Sequence, residues 1–361
     1  MLILRILVFF IGLQIIWHTI QSAVVTFVLP RSASHWITGT LFRLLRRIFD
    51  QRMRWAPTYA ERDRIMAYYA PVGLLLLVPI WMLLVLVGYA CLYWATGIDT
   101  MNRDLLVSGS SLLTLGYATV DTPLQVWLSF SEAMLGLILV ALLIAYLPTM
   151  YSAFAHREVA VNQLSVRAGT PPSALEFILR AHRIGALDNM HDLWIQWEIW
   201  FAEVEESHTS LAALVFFRSP EPQHSWVTAA GAVMDTAALI TSAVDVPREA
   251  QRELCLRAGF LCLRKVADYF RVQYNPAPLF PAEPISILRA EFDAVCAQLA
   301  AAGVPLKPDR EKAWLDFAGW RVNYDRVLLA LCTLTMAPPA LWSTDRAPAY
   351  KPQPLFRARK A

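Results

Sequence analysis

Residues 102–121 read NRDLLVSGSSLLTLGYATVD and lie between two long apolar runs, 72–96 and 124–149. An ordinary loop exposed to water would be polar throughout, whereas this segment is mostly uncharged and rich in leucine and serine. The pattern predicts a short helix that dips into a membrane, followed by an extended return. Because irregular backbone at membrane depth is tolerated only where protein buries it or where it lines a watery path, we interpret the segment as a re-entrant loop.

Three apolar runs are each long enough to cross a hydrocarbon core, which needs about 20 helical residues. The first run, 2–29, contains only Arg5 as a charged residue, the second contains none, and the third contains Glu132. The mean hydropathy of +0.41 and the charged fraction of 17% fit membrane insertion, since soluble domains carry about 25% charged residues. The first run lacks a small-residue cleavage site, so we expect a retained span rather than a signal peptide.

The distribution of arginine predicts the orientation. Eight arginines lie between the first two runs, whereas the connection 97–123 contains only Arg103. Basic loops stay on the cytoplasmic side, so we predict a multi-pass plasma-membrane protein with its N-terminus outside and its C-terminus in the cytosol. The lipid bilayer is the expected partner of these arginines. The net charge of +3 is too small to indicate a nucleic-acid partner.

The predicted fold class is an all-α membrane protein with three transmembrane helices, a re-entrant pore loop between the second and the third, and an all-α cytosolic domain. The predicted segments are an N-terminal transmembrane helix (1–30), a basic cytosolic linker with an interfacial helix (31–71), a pore domain (72–150), a helical cytosolic regulatory domain (151–344) and a disordered basic tail (345–361). An amphipathic helix packed on the cytosolic domain is the alternative for the interfacial helix.

Helical periodicity dominates the predicted cytosolic domain. Ser173 and Glu176 form a capping-box pattern at the start of one helix. Further helices are predicted at 190–206, 208–217, 225–244, 247–272, 285–302 and 309–335. Residues 226–244 are apolar enough for a fourth span, but alanines, threonines and Asp235 insert poorly, which favours a buried helix of a bundle.

The re-entrant loop resembles the selectivity filter of the potassium channel superfamily, in its bacterial two-transmembrane type. The family pattern is Thr, an aliphatic residue, Gly, an aromatic residue and Gly, and Thr114, Leu115, Gly116 and Tyr117 match four of the five positions. In that family four loops surround an axis, and backbone carbonyls replace the water around a cation. The resemblance implies that these four residues coordinate K⁺, with Ala118 at the fifth position. It also implies a homotetramer, because the chain contains one such loop.

The third run adds three candidate residues. Gly136 lies twenty residues after Gly116 and resembles the gating-hinge glycine of bacterial inner helices, with close helix packing as the alternative. Pro148 removes a helical hydrogen bond and is a second position where the helix is predicted to bend, unless it is inert near the helix end. Glu132 is an intramembrane acid, and such residues are functional by default.

We expect Glu132 to brace the filter through pore-helix hydroxyls, with direct ion contact as the alternative. The candidate hydroxyls belong to Ser108, Ser110 and Ser111. Ala118 departs from the family pattern, in which glycine reaches left-handed backbone angles that cost other residues about 1 to 2 kcal/mol. We therefore expect either a redirected outermost carbonyl or a strained filter mouth. A non-selective cation channel and a non-conducting membrane-anchored sensor or scaffold stay open as alternative functions.

The remaining motifs exclude several classes of function. No catalytic or phosphate-binding motif occurs, so we predict that the protein is not an enzyme and uses no cofactor beyond the permeant ion. The five cysteines form no CxxC pair, which argues against a zinc site. An aromatic stripe at Trp194, Trp197 and Trp200 is interpreted as core packing, with a ligand pocket as the alternative. The cytosolic domain is expected to bind an unidentified ligand or protein.

Overall fold

The computed structural model describes residues 2–29, 35–97, 100–348 and 350. Helices make up 72% of the described residues, which contain one isolated β-bridge but no strand. The predicted all-helical class is therefore confirmed. Within the part of the chain that the structure describes, four stretches are helical, long and apolar enough to cross a membrane, which indicates a multi-pass membrane protein. They are Leu2–Phe27, Tyr59–Ala95, Pro123–Ala168 and Trp226–Ala243.

The helices follow one another with short connections. They are α1 (Leu2–Phe27), α2 (Trp36–Met53), α3 (Tyr59–Ala67), α4 (Tyr69–Ala95), α5 (Met101–Leu112), α6 (Pro123–Ala168), α7 (Ala174–Arg183), α8 (His191–Ser210), α9 (Trp226–Ala243), α10 (Ala250–Tyr269), α11 (Arg289–Ala301), α12 (Arg310–Arg321) and α13 (Asp325–Thr335). A 3₁₀ helix, Ala212–Phe216, lies between α8 and α9.

The chain forms two compact units. Unit 1 contains the described residues of 1–52 and 68–152, and unit 2 contains residues 53–67 together with the described part of 153–353. Helix α6 is continuous through residue 152, so its first 30 residues belong to unit 1 and its remainder to unit 2. Helix α3, which lies in the predicted basic linker, belongs to unit 2 although it precedes α4 in sequence.

In unit 1, α1 packs on α4 through two glycines. A Cβ atom on Gly12 would lie 2.5 Å from the carbonyl oxygen of Gly88, and one on Gly88 would lie 2.7 Å from Cγ1 of Ile16. Real Cβ contacts are longer than 3.0 Å, so these two backbones approach more closely than any other residue would permit. Small residues allow the same close approach in membrane helix pairs generally.

Helix α2 packs on the N-terminal turns of α4. The Tyr69 hydroxyl donates a hydrogen bond to the carbonyl oxygen of Phe42 (3.2 Å), and the Phe42 ring fills the space above Gly73. Arg46 lies over the Tyr69 ring, 5.5 Å from its centroid. The aromatic residues of the predicted interfacial helix therefore contact protein within unit 1.

In unit 2, α9 is the central core helix. Every residue of α9 except Thr241 is buried, and α7, α10, α12 and α13 pack around it. Its polar centre, Asp235, accepts hydrogen bonds from the guanidinium of Arg321 and from the Tyr324 hydroxyl, the latter at 2.8 Å. Arg321 also donates to Asp325 (2.7 Å). The buried acid of α9 is thus paired inside unit 2.

The predicted basic tail, 345–361, is described only in its first part. Arg346 pairs with Glu291, and the Thr333 hydroxyl donates to the carbonyl oxygen of Pro348 (3.0 Å). Residues 345–348 are therefore held against unit 2. Residue 349 and residues 351–361 lie outside the described residues.

Candidate functional site

Helix α5 precedes the filter-like segment and ends in a defined cap. The amide of Thr114 donates to the carbonyl oxygen of Ser111 (3.0 Å), and the amide of Leu115 donates to that of Ser110 (2.8 Å). This pair of bonds is the Schellman pattern, in which the first residue past the helix adopts a left-handed conformation. Thr114 is that residue, with φ of 54°. A β-branched residue there is strained by about 1 to 2 kcal/mol.

The filter-like segment follows this cap without helical structure. Gly116 has φ of 72°, a conformation that glycine adopts without penalty. The side chains of Leu115 and Tyr117 are 59% and 60% exposed in the single chain. Thr114 is exposed as well, and its hydroxyl donates to the carbonyl oxygen of Leu113 (2.8 Å). All four residues of the predicted ion-binding segment therefore lie on one open surface of unit 1.

Ala118 differs from the expectation of a strained filter mouth. Its φ lies outside the left-handed region, and its amide donates a hydrogen bond to the Ser110 hydroxyl (3.1 Å). Backbone strain in this loop therefore falls on Thr114 rather than on Ala118. Ser110 therefore holds residue 118 against α5, whereas the sequence predicted Ser110 as a candidate partner of Glu132.

Glu132 lies behind α5 in a buried polar seam. Its carboxyl group accepts a hydrogen bond from the Tyr93 hydroxyl (3.1 Å) and lies within hydrogen-bond distance of the Ser108 hydroxyl. The Ser108 oxygen also lies 2.9 Å from the carbonyl oxygen of Leu86. A serine hydroxyl carries one proton. Both contacts of Ser108 are satisfied only if Glu132 is protonated and donates to Ser108, which in turn donates to Leu86.

Two further hydroxyl pairs extend this seam. Ser111 and Ser129 join α5 to α6 with an oxygen separation of 2.8 Å. Tyr89 and Ser131 join α4 to α6 at the same distance. Of the three hydroxyls predicted as partners of Glu132, that of Ser108 contacts it, whereas Ser110 accepts from the Ala118 amide and Ser111 pairs with Ser129. Sequence reasoning missed Tyr93, because an aromatic residue within an apolar run carries no signal for a polar partner.

The two predicted hinge positions have different surroundings. A Cβ atom on Gly136 would collide with the carbonyl oxygen of Leu112, the last residue of α5, and would lie 3.1 Å from the Leu112 side chain. Gly136 is therefore a close-contact position. Pro148 lies inside α6, which continues for a further twenty residues to Ala168, so it is not at a helix end.

A second buried polar cluster lies in unit 2 around Arg157. Its guanidinium donates to the carbonyl oxygens of Leu214 (2.8 Å) and Phe217 (2.9 Å) and to Glu158. It also lies 3.2 Å from Nε2 of His208. Arginine is only a donor, so Nε2 accepts and the His208 proton sits on Nδ1. Burial, followed by the charge of Arg157, lowers the pKa of His208 well below 6.5.

The remaining candidates in unit 2 fit a structural role. Trp194, Trp197 and Trp200 are buried in the core of unit 2, as their helical spacing predicted. Among the described residues, no group of acidic, histidine and cysteine side chains is arranged to hold a metal ion. Comparisons with known protein families, with curated proteins and with solved structures found no match for this chain.

Proposed function

We propose that four copies of this chain form a cation channel in which the backbone carbonyls of Thr114, Leu115, Gly116 and Tyr117 coordinate K⁺. The observation that carries this proposal is the course of the chain between α4 and α6. A 12-residue helix, α5, ends at the Thr-Leu-Gly-Tyr segment, and the chain then returns without helix to α6. The negative end of the α5 dipole points toward this segment and favours a cation there.

Exposure of the segment supports assembly. Leu115 and Tyr117 are more than half exposed in one chain, yet non-helical backbone within a membrane must be buried in protein or line a watery path. Further copies of the chain would supply the surrounding protein and enclose the watery path. Fourfold symmetry rests on the resemblance to the potassium channel superfamily, whose filters are built from four loops.

The topology in this proposal has three spans. Residues 53–67 and 153–353 belong to the same compact unit, so they occupy the same side of the membrane. The arginine-rich connection places that side in the cytosol, and the N-terminus and the filter-like loop then face outside. Helix α9 stays in the cytosolic unit, because its residues are buried and its Asp235 is paired with Arg321.

Regulation is assigned to the cytosolic unit. Helix α6 runs from the pore segment into unit 2 as one helix of 46 residues, and Arg157 fixes its lower part to unit 2 with several buried hydrogen bonds. A ligand or protein that changes unit 2 would act on the pore through α6. If removing residues beyond 170 left open probability and its regulation unchanged, this coupling would be wrong.

Planar-bilayer recording on purified tetramers tests the channel proposal. We expect cation current with a reversal potential that favours K⁺ under bi-ionic K⁺ and Na⁺ conditions. Gly116→Ala should strongly reduce the current, because φ of 72° costs an alanine about 1 to 2 kcal/mol and relief of that strain would redirect the neighbouring carbonyl groups. Gly39→Ala is the matched control, since a Cβ atom there meets nothing within 4 Å.

Two results would replace the proposal with an alternative. A reversal potential near zero indicates a non-selective cation channel. Absence of current from verified tetramers indicates a membrane-anchored sensor or scaffold. In that case the loop has no role in binding, so Gly116→Ala would leave the binding of ligands or proteins to unit 2 unchanged.

A further inference from the structure

We propose that Gly136 is a positioning residue for the filter-like segment rather than a hinge of α6. This inference rests on the proposed channel function, but its geometric basis does not. A Cβ atom on Gly136 would collide with the carbonyl oxygen of Leu112. That atom belongs to the backbone of α5, so it cannot rotate away as the end of a flexible side chain would.

The contact belongs to a continuous docking face. On α6, Ser129, Glu132 and Gly136 follow one another at helical spacing, and residues separated by three, four and seven positions share one face. Their partners on α5 are Ser111, Ser108 and Leu112, respectively. Two polar contacts and one backbone contact therefore fix α5 against α6, and the backbone contact lies at the end nearest the filter-like segment.

The position of Leu112 determines where that segment begins. Leu112 is the last residue of α5, and Thr114, the first predicted ion ligand, is two residues later. The cap bonds from Thr114 and Leu115 to α5 are 3.0 and 2.8 Å long, so the segment moves with the end of the helix. A side chain at residue 136 would displace this end and with it the carbonyls on which ion discrimination depends.

A hinge glycine needs free space around the bend, and Gly136 has none on the side of α5. Bending α6 at Gly136 would press its backbone against the carbonyl oxygen of Leu112 or drag the end of α5 with the lower helix. Of the two bending positions that the sequence predicts in α6, Pro148 is therefore the one assigned to gating. It lies twelve residues beyond Gly136 in the same helix.

The experiment compares two glycine-to-alanine variants in helices of unit 1. Alanine is the better helix former, so replacing an unhindered helical glycine raises the melting temperature. Gly109→Ala is the control, because its Cβ atom would meet only the Leu86 side chain, at 3.8 Å. We expect Gly109→Ala to raise the melting temperature of the full-length protein in detergent and Gly136→Ala to lower it.

Selectivity gives the second readout, which a merely structural role would not change. In bilayers, Gly136→Ala should shift the bi-ionic K⁺/Na⁺ reversal potential toward zero, whereas Gly109→Ala should leave it at the wild-type value. The proposal is overturned if Gly136→Ala raises the melting temperature, or if it keeps selectivity and alters only open probability. If the wild-type protein carries no current, the channel proposal fails, and the melting temperatures still decide the role of Gly136.

Discussion

Substitutions of Glu132 test whether its carboxyl group carries a proton. The contacts of Ser108 with Leu86 and Glu132 are both satisfied only with a protonated carboxyl group. Glutamine reproduces that pattern, because its amide donates to Ser108 and its carbonyl accepts from Tyr93. We therefore expect Glu132→Gln to change the free energy of unfolding little and Glu132→Leu to cost about 1 to 3 kcal/mol, since the Tyr93 hydroxyl loses its acceptor. Thermal unfolding in detergent measures both.

Equal destabilisation by Glu132→Gln and Glu132→Leu would indicate an ionised carboxylate. In that state Ser108 donates to Glu132, and the amide of glutamine would replace the acceptor with a donor.

Because His208 is buried in unit 2, we expect the thermal stability of that unit to decrease in acid. Its pKa is lowered in the folded protein by burial and by Arg157, so the unfolded chain binds the proton more tightly. The contribution of His208 to the free energy of unfolding is therefore fully present above the ordinary histidine pKa of 6.5. Below that pH it falls by up to about 1.4 kcal/mol per pH unit. Melting curves between about pH 7.5 and about pH 5.5, one unit either side of that value, measure the slope.

The matched variants are His208→Gln and His156→Gln. Glutamine at 208 accepts from Arg157 and donates to Ser207 without titrating, so the slope should flatten. His156 is exposed, and its replacement should leave the slope as in the wild type. A slope that survives His208→Gln would assign the acid sensitivity to another group.

At the scale of helices, the sequence predicted most elements of unit 2 to within a few residues. The segments predicted at 190–206, 225–244 and 285–302 correspond to α8, α9 and α11, because buried helices repeat apolar residues every three or four positions. Ser173 precedes α7 as predicted, but its side chain makes no cap bond, and Glu176 accepts from Arg180 instead (2.6 Å).

Other helices and their boundaries could not be predicted, because they depend on tertiary contacts that local sequence patterns do not record. The helix predicted at 309–335 is two helices, α12 and α13, with a break before Asp325. Neither proline nor glycine lies at the break. Arg321 and Tyr324, on either side of it, both bond to Asp235, and these bonds hold the chain in the broken conformation. Helix α3 was not predicted. In the site, a sequence motif identified the filter-like residues, whereas the contact of Gly136 with α5 depends on tertiary packing that no local pattern records.

The docking of α1 on α4 predicts the effect of a single side chain on a whole helix. Gly12→Leu would insert a side chain where even a Cβ atom lies 2.5 Å from the Gly88 carbonyl oxygen. We expect α1 to detach and the melting temperature to fall, since overpacking costs about 1 to 3 kcal/mol. Gly39→Leu in α2 is the control, with open space around its Cβ position. If both substitutions lowered the melting temperature by a similar amount, the contact between Gly12 and Gly88 would not explain the docking of α1 on α4.

Two chain segments that are distant in sequence share unit 2, and this predicts which parts of the molecule face the same side of the membrane. Trp55, between α2 and α3, and Leu279, between α10 and α11, are 84% and 75% exposed and belong to the same unit. Thr119 is exposed in the loop after the filter-like segment. If α9 is a core helix, single cysteines at 55 and 279 face one side of the membrane, and a cysteine at 119 faces the other.

Thiol labelling with a membrane-impermeant reagent decides this topology. Of the five native cysteines, Cys91 lies inside α4, a candidate span, which places it out of reach of a reagent confined to water. Cys255, Cys262, Cys296 and Cys332 are buried, and burial raises the pKa of each thiol, so the reactive thiolate is scarce. We expect Thr119→Cys to react from outside intact cells, and Trp55→Cys and Leu279→Cys to react only in inside-out vesicles, with the wild type as the unlabelled background. Outside labelling of Leu279→Cys alone would place α9 across the membrane and add a fourth span.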